Sequence, residues 1–370
     1  MGPESARHSP LHDRHVALGA KMAVFGGWEM PLEYPGGGVL KEHTAVREAV
    51  GVFDVSHLGT LRVRGPAAAA HVDACLTNAL DRIGSGQAQY TLACDDATGG
   101  VVDDLIAYRI SDSDLVLVPN AANTHELAGR LRADAPDGVE VVDQQQAILA
   151  VQGPRSDELL AAAELPAGHP YLSFASATLS ASSDDVPLVV CRTGYTGERG
   201  YEVMTPADTA ERVWEALLRA GAPLGVRPCG LGARDTLRTE MGYPLHGQDI
   251  GPDVTPVQAR LGWAVGWDKP RFWGRDVLSA ERAEGPSRVR RGLVAAGRGI
   301  PRPHMTVSRG GHAVGAVTSG TFSPTLRSGV GLALLAPDVR DGDEVHVEVR
   351  GREEAFVVTK PPFVATDVRG

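Results

Sequence analysis

One local plan occurs twice in this chain. Leu61-Arg62-Val63-Arg64-Gly65-Pro66 leads into an alanine-rich segment from Ala67 to Leu76, and Leu149-Ala150-Val151-Gln152-Gly153-Pro154 leads into Ser156 to Leu160 and further alanines. Each reads as a strand stopped by Gly-Pro, since proline fixes its own φ and brings no N–H to a ladder, followed by a helix. The pairing suggests two related α+β halves, although a repeat this short also arises by coincidence. With 370 residues the chain is too long for one simple core, and two or three domains are expected.

Other elements are marked by their ends. Thr205 as N-cap, Pro206 at the first helical position and Asp208 in the first turn predict a helix that buries Val213, Trp214, Leu217 and Leu218 and stops at Gly221. Asn123 with Glu126 forms a capping box before Leu127 and Leu131, and Pro136 closes that helix. The Ser-Asp-Ser-Asp stretch between Ile110 and Leu115 is a hairpin loop. After about residue 256 the chain breaks into short strands with glycine turns, apart from a helix near Gly274 to Ala283. Arg309-Gly310-Gly311-His312 and Arg350-Gly351-Arg352 read as hairpin tips, and Val345 to Val349 alternates, which predicts a small all-β domain of barrel or Greek-key type.

Composition narrows the function. A formal net charge of −10 argues against a nucleic-acid groove or an anionic membrane surface as partner. Lys21, Lys41, Lys269 and Lys360 are the only lysines, which leaves few candidates for a Schiff base and makes pyridoxal chemistry unexpected. Cys75, Cys94, Cys191 and Cys229 form no CxxC and read as reduced intracellular thiols. No apolar signal core or bilayer-length segment stands out, so a cytoplasmic protein is expected. His8, His12 and His15 have spacings that line one helix face, but with no acidic or thiol partner in view they read as a solvated face, and no metal is expected.

Three stretches carry candidate chemistry. In Gly99-Gly100-Val101-Val102-Asp103-Asp104-Leu105-Ile106-Ala107-Tyr108-Arg109-Ile110 a diglycine turn feeds a strand, and alternation sends the two carboxylates to opposite faces. Asp104 shares its face with Val102, Ile106, Tyr108 and Ile110, the more apolar one, and is the aspartate expected to point inward, where burial raises its pKa. The competing reading is an ordinary turn aspartate beside a solvated neighbour. Thr193-Gly194-Tyr195-Thr196-Gly197-Glu198-Arg199-Gly200 is a hairpin tip whose glycines let backbone approach a ligand; Tyr195 offers a stacking surface and Glu202 an acceptor for an amidine-like edge such as a pterin presents. A decorated hairpin is the alternative. Gly230-Leu231-Gly232-Ala233-Arg234-Asp235-Thr236-Leu237-Arg238 is helical after its glycines, with Ala233, Leu237 and Met241 as the packed stripe, Asp235 near Arg238, and the arginines suited either to ion pairs or to a ligand carboxylate.

These stretches, with Phe25-Gly26-Gly27-Trp28-Glu29-Met30-Pro31, Gly51-Val52-Phe53-Asp54-Val55-Ser56-His57 and Thr318-Ser319-Gly320-Thr321-Phe322-Ser323-Pro324-Thr325-Leu326, resemble the T-protein family of the glycine cleavage system, tetrahydrofolate-dependent aminomethyltransferases, over essentially the whole length. The resemblance implies an α+β fold, a three-domain cloverleaf with two related α+β domains around a folate site and a C-terminal all-β, barrel-like domain. Its domains would be residues 1–58 plus 145–255, an inserted 59–144 carrying the catalytic aspartate, and 256–370. It implies Asp104 as that aspartate and Tyr90, Val118, Asn120, Tyr171, Tyr195, Glu202, Arg234 and Tyr243 as the folate-pocket lining. The tail Pro362 to Arg369 departs from the family in lacking a tyrosine that some members place against the ligand, and Arg369 is the available substitute. The implied reaction moves a one-carbon unit from an S-aminomethyl-dihydrolipoyl carrier (H-) protein to tetrahydrofolate as co-substrate, with release of ammonia and without metal, flavin or pyridoxal phosphate.

Two other functions fit the same scaffold. A folate-dependent demethylase of a small methylated amine or sulfonium would need a small-molecule pocket in place of a carrier-docking surface. A non-enzymatic iron–sulfur maintenance protein would carry a Lys-Gly-Arg motif, which this chain lacks. No GxGxxG fingerprint supports an oxidase or dehydrogenase half.

Overall fold

The computed structural model of the protein describes residues 6–180 and 185–369. Two sheets share the order of their first four strands and differ in the chain origin of the fifth. In the first, Gln87–Cys94, Val101–Ser111, Asp114–Val118, Leu61–Arg64 and Glu140–Asp143 lie side by side, all antiparallel. In the second, Phe174–Leu179, Val186–Cys191, Gly200–Thr205, Ala147–Gln152 and Gly51–Asp54 follow in turn, with Arg227–Cys229 added in parallel at the edge. The duplicated segments occupy equivalent places, Leu61–Arg64 and Ala147–Gln152, each followed by its helix, Ala68–Cys75 and Ser156–Ala162.

The Gly-Pro junctions match in detail. Gly65 and Gly153 have φ of +135° and +134°, and a Cβ on either would sit 2.0 or 2.4 Å from a backbone carbonyl oxygen. Only glycine fits both the torsion and the space.

The two sheets face one another across a shared apolar layer that includes Phe53, Val55, Tyr108, Val116, Val118, Ile148, Ala150 and Cys191. The far face of the first sheet packs on Val72, Cys75, Leu127 and Leu131, and that of the second on Leu159, Val213, Trp214 and Leu217. The chain ends in a closed barrel of Val289–Ala295, Ser328–Leu335, His312–Ser323, Thr306–Arg309, Glu344–Val349 and Arg352–Thr359 around Leu293, Val307, Val347 and Phe356. Both predicted hairpin tips lie within it. All four cysteines are buried and free. Among the described residues no helix is long and apolar enough to cross a membrane.

Three local expectations change. The helix after Thr205 begins only at Ala210, behind a 3-10 turn at Ala207–Thr209, although it ends at Gly221 and buries Val213, Trp214 and Leu217 as expected. Asn123 starts the helix Thr124–Ala133 without capping it, because its amide is drawn to Asp103 and His246, and Glu126 pairs with Arg130 instead. The N-terminal histidines do not share a helix face: His8 is on the strand Arg7–His8, while His12 and His15 belong to the helix His12–Ala17. His15 is fully buried, donating from Nε2 to Asp54 Oδ2 (2.9 Å) and accepting the Tyr34 hydroxyl at Nδ1 (2.8 Å). His8 and His12 find the acidic partner that the sequence alone did not reveal, Glu29.

Candidate active site

The strand Val101–Ser111 presents Asp103 and Asp104 to opposite faces, but Asp103 is the more deeply buried. The inference that Asp104 points further inward is therefore corrected. Counting apolar neighbours failed for two reasons. A bulge opposite Ala93 and Cys94 turns Val102 into the cluster of Leu105 and Ala107, away from Asp104's face. Moreover, both faces are covered, one by helices and the other by the second sheet, so burial does not discriminate between them. Asp104 sits where that second layer opens and stays partly exposed.

Each carboxylate has its own donors. Asp103 accepts from the Asn120 backbone N–H (3.1 Å), Asn120 Nδ2 (2.8 Å) and Asn123 Nδ2 (2.7 Å). Asp104 accepts from the Tyr90 hydroxyl at Oδ2 (3.0 Å) and from Asn120 Nδ2 at Oδ1 (2.9 Å). His246 donates from Nε2 to the Val101 carbonyl (3.0 Å), leaving Nδ1 to accept from Asn123 (3.0 Å). Burial first, and the neighbouring Asp104 charge second, push Asp103 up to about 8 against its three N–H donors. Burial raises Asp104 as well, opposed by His246, Tyr90 and Asn120. Two adjacent carboxyls that resist joint ionisation share one proton near neutrality. Burial and Asp104's charge raise the Tyr90 phenol far above its ordinary range, so Tyr90 remains a donor.

Asp103 makes stability depend on pH. Its folded-state value lies above the roughly 3.9 of an exposed aspartate, so between these values the folded protein holds a proton that the unfolded chain has released. Its contribution to stability therefore falls as pH rises from about 4 to about 8. The melting temperature of Asp103→Asn should decline less steeply across this window than that of the native protein. Parallel declines would show that Asp103 titrates normally.

Opposite this pair stand the residues of the second sheet and the helix Leu231–Met241. Glu202, on Gly200–Thr205, is buried and accepts the Thr193 hydroxyl at Oε2 (2.5 Å); Tyr108 in turn donates to Thr193 (3.1 Å). Glu202 Oε1 makes no hydrogen bond among the described residues. Arg234 likewise has neither hydrogen bond nor ion pair among them, and its guanidinium lies 4.5 Å from the Tyr195 ring centroid. The contrast with Arg238 is sharp: that side chain is buried and tied to Asp235 (2.6 Å), Asp249 (2.8 Å) and Ser319 (2.9 Å). Tyr195 spends its hydroxyl on the Pro244 carbonyl, so it offers a ring face, and Tyr243 lies 5.7 Å away ring to ring.

Tyr171 is half-buried beneath two guanidiniums, Arg192 at 5.9 Å and Arg369 at 6.0 Å, so the tail does reach this side of the molecule. Val118 is buried in the layer between the sheets. The site residues cluster through shared neighbours: Asp104 acts electrostatically on Tyr195, Tyr195 and Glu202 on Arg234, and Tyr171 on Tyr243. None of them lines the cleft of about 490 Å³ beside the barrel, which is bounded by Gln248, Arg288, His304 and Thr318.

Four neighbours went unnoticed in the sequence. Asn123 and His246 secure Asp103, Thr193 orients Glu202, and Trp263 stacks on Tyr90 at 5.3 Å while 63% exposed. Asn123 resembled a helix cap, Thr193 passed as part of the hairpin tip that precedes Glu202, and His246 and Trp263 lie far in sequence from the groups they touch. His57, buried and with its Nδ1 unpartnered, is driven down to about 4 by burial and then by Arg234's charge.

Comparison with known proteins matches residues 11–269 to the GCVT N-terminal domain and residues 288–365 to the glycine cleavage T-protein C-terminal barrel domain. An aminomethyltransferase from Parafrankia sp. is 61% identical over 366 residues, 98% of this chain and 99% of that protein. One from Mycobacterium tuberculosis is 54% identical, covering 98% of both. The crystal structure of glycine cleavage system aminomethyltransferase T from Bartonella henselae superposes with a TM-score of 0.90 at 35% identity, over 97% of this chain and 98% of that one.

Proposed function

The chain belongs to the glycine cleavage T-protein family of aminomethyltransferases, and from that premise we propose that it moves a one-carbon unit from an S-aminomethyl-dihydrolipoyl carrier protein to tetrahydrofolate. The observation that carries this reading is that a partly exposed carboxylate, Asp104, and a guanidinium without a hydrogen bond or ion pair among the described residues, Arg234, both neighbour Tyr195 in one cluster of tyrosines. We assign residues 1–58 with 145–255, 59–144, and 256–370 as its three domains, and its four free thiols support a cytoplasmic setting.

The methylene carbon of the donor exchanges its nitrogen and sulfur for two folate nitrogens. The two protons those nitrogens give up leave with ammonia and the lipoyl thiol. Asp104 receives or positions the proton of the attacking nitrogen, as its raised pKa suits a general base. Tyr90 and Asn120 hold its two oxygens apart and oriented, and the protonated Asp103 behind it keeps the pair to one negative charge. Arg234 anchors polar groups of the folate over the Tyr195 face, and Tyr171, Tyr243 and Val118 complete the lining.

Glu202 reads the pterin edge with Oε1 while Thr193 occupies Oε2. In Glu202→Gln the amide oxygen keeps the Thr193 bond and the nitrogen turns a donor toward the ligand's donors. Folate affinity should fall by about 1.5–3 kcal/mol, the scale of a charge-assisted hydrogen bond. Calorimetry showing unchanged folate binding would refute this role. The reading as a whole is tested by methylene-tetrahydrofolate formation from aminomethylated lipoyl carrier with and without the protein; no acceleration would sink it.

A further inference from the structure

The N-terminal segment carries a convergence of side chains that the proposed reaction leaves unused. The strand Arg7–His8 runs parallel to Trp28–Glu33 with His8 opposite Glu29. The helix His12–Ala17 then brings His12 over His8, and the two imidazoles stack at 3.8 Å with 2° between their planes. Both Nε2 atoms approach one oxygen, Glu29 Oε2, at 2.8 Å from His12 and 3.3 Å from His8. His12 Nδ1 is 3.3 Å from Asp13 Oδ1.

Hydrogen bonding alone satisfies this arrangement poorly. Both rings would have to aim an Nε2–H at the same oxygen, and His12 would also need a proton on Nδ1 for Asp13. The result is an imidazolium stacked face to face on a second imidazole. A cation removes the conflict, because two imidazole lone pairs and a carboxylate oxygen are then all ligands, and Asp13 accepts Nδ1–H of His12 and fixes its tautomer, as an outer-sphere carboxylate does.

We propose that His8, His12 and Glu29 form a binding site for one zinc-class divalent cation, with water completing its sphere. The three donor atoms lie within 4.8 Å of one another. Ligands at ordinary zinc distances stand about 3.3 Å apart in a tetrahedron, close to the two separations from Glu29. His8, with its side chain 56% exposed, has room to rotate off the stack and aim its lone pair. Two nitrogens and one oxygen favour zinc, nickel or cobalt over magnesium and calcium, which take all-oxygen shells. The ion ties the first strand, the first helix and the Trp28–Glu33 strand together. That same helix carries His15 to Asp54, so the clamp braces the segment against the second sheet.

The test uses the full chain, free of any polyhistidine tag and stripped with a chelator. Titration with zinc chloride by calorimetry should show one site, absent with magnesium chloride, and zinc should raise the melting temperature. Cobalt should give visible absorption bands of a nitrogen-containing site. His12→Gln and Glu29→Gln should each weaken zinc binding at least tenfold. His8→Asn, at an exposed position, should do the same without disturbing the fold, which covers the case in which the other variants fold poorly. No zinc binding by the native protein, or binding unweakened in His8→Asn, overturns the proposal.

Discussion

Asp104→Asn should lower turnover by about 10²–10⁴, the range for losing a positioned acid–base group. The substitution preserves shape. Tyr90 can still donate to the amide oxygen, while the new amide nitrogen meets the Asn120 Nδ2 donor, so the melting temperature should fall modestly and the fold should persist. What disappears is the only one of the two aspartates with access to a substrate: Asp104 is partly exposed, and Asp103 is 0% exposed behind Asn120 and Asn123. Asp103→Asn should therefore cost much less activity, although it perturbs the same hydrogen-bond cluster. Equal losses in two folded variants would remove Asp104 from its assigned role. The pH profile adds a second check. Because burial raises Asp104, the acid limb of the native rate profile should lie above the roughly 3.9 of an ordinary aspartate. Activity should rise with pH through that limb, and the limb should vanish in Asp104→Asn.

A loaded lipoyl carrier protein should surpass free aminomethyl-lipoamide in kcat/KM by about 10²–10⁴, the gain expected when docking makes delivery of the arm intramolecular. The chain's match to the family runs its full length and extends through the barrel, where Thr318 to Leu326 is the end of one strand and the turn after it, beyond what a folate pocket requires. Docking energy acts only while the carrier is attached, so it appears in kcat/KM for the tethered donor and not for the free one. The interface can be modest in area and short-lived. Both donors must be compared at matched concentration with the same folate. If free aminomethyl-lipoamide performs as well as the carrier, the tethered-substrate reading fails and a transferase acting on a small molecule becomes the better account.

The elements and their pairing were legible in the sequence because their signals are local. Gly65 and Gly153 each sit at a torsion and a close backbone approach that exclude other residues, so the duplicated strand–turn–helix unit was written at single positions. The texture after residue 256 announced a barrel for the same reason: alternation and glycine turns are properties of neighbouring residues. Alternation also separated Asp103 from Asp104 correctly. It could not say which one is accessible, since that depends on what covers each face of the sheet, and here a bulge and a second domain decide it. Arg234 and Arg238 are four residues apart on one helix; Asp235 marks Arg238 for a local ion pair, but burying it fully takes Asp249 and Ser319 from elsewhere in the chain, while Arg234 is left without a hydrogen bond or ion pair among the described residues. The same holds for Glu29 beside His8 and His12, which becomes their partner only when Arg7–His8 lies alongside Trp28–Glu33. Local covalent geometry and periodicity thus determined the elements, whereas the ionisation and availability of each polar group were set by long-range packing, because burial and charge act through space and not along the chain.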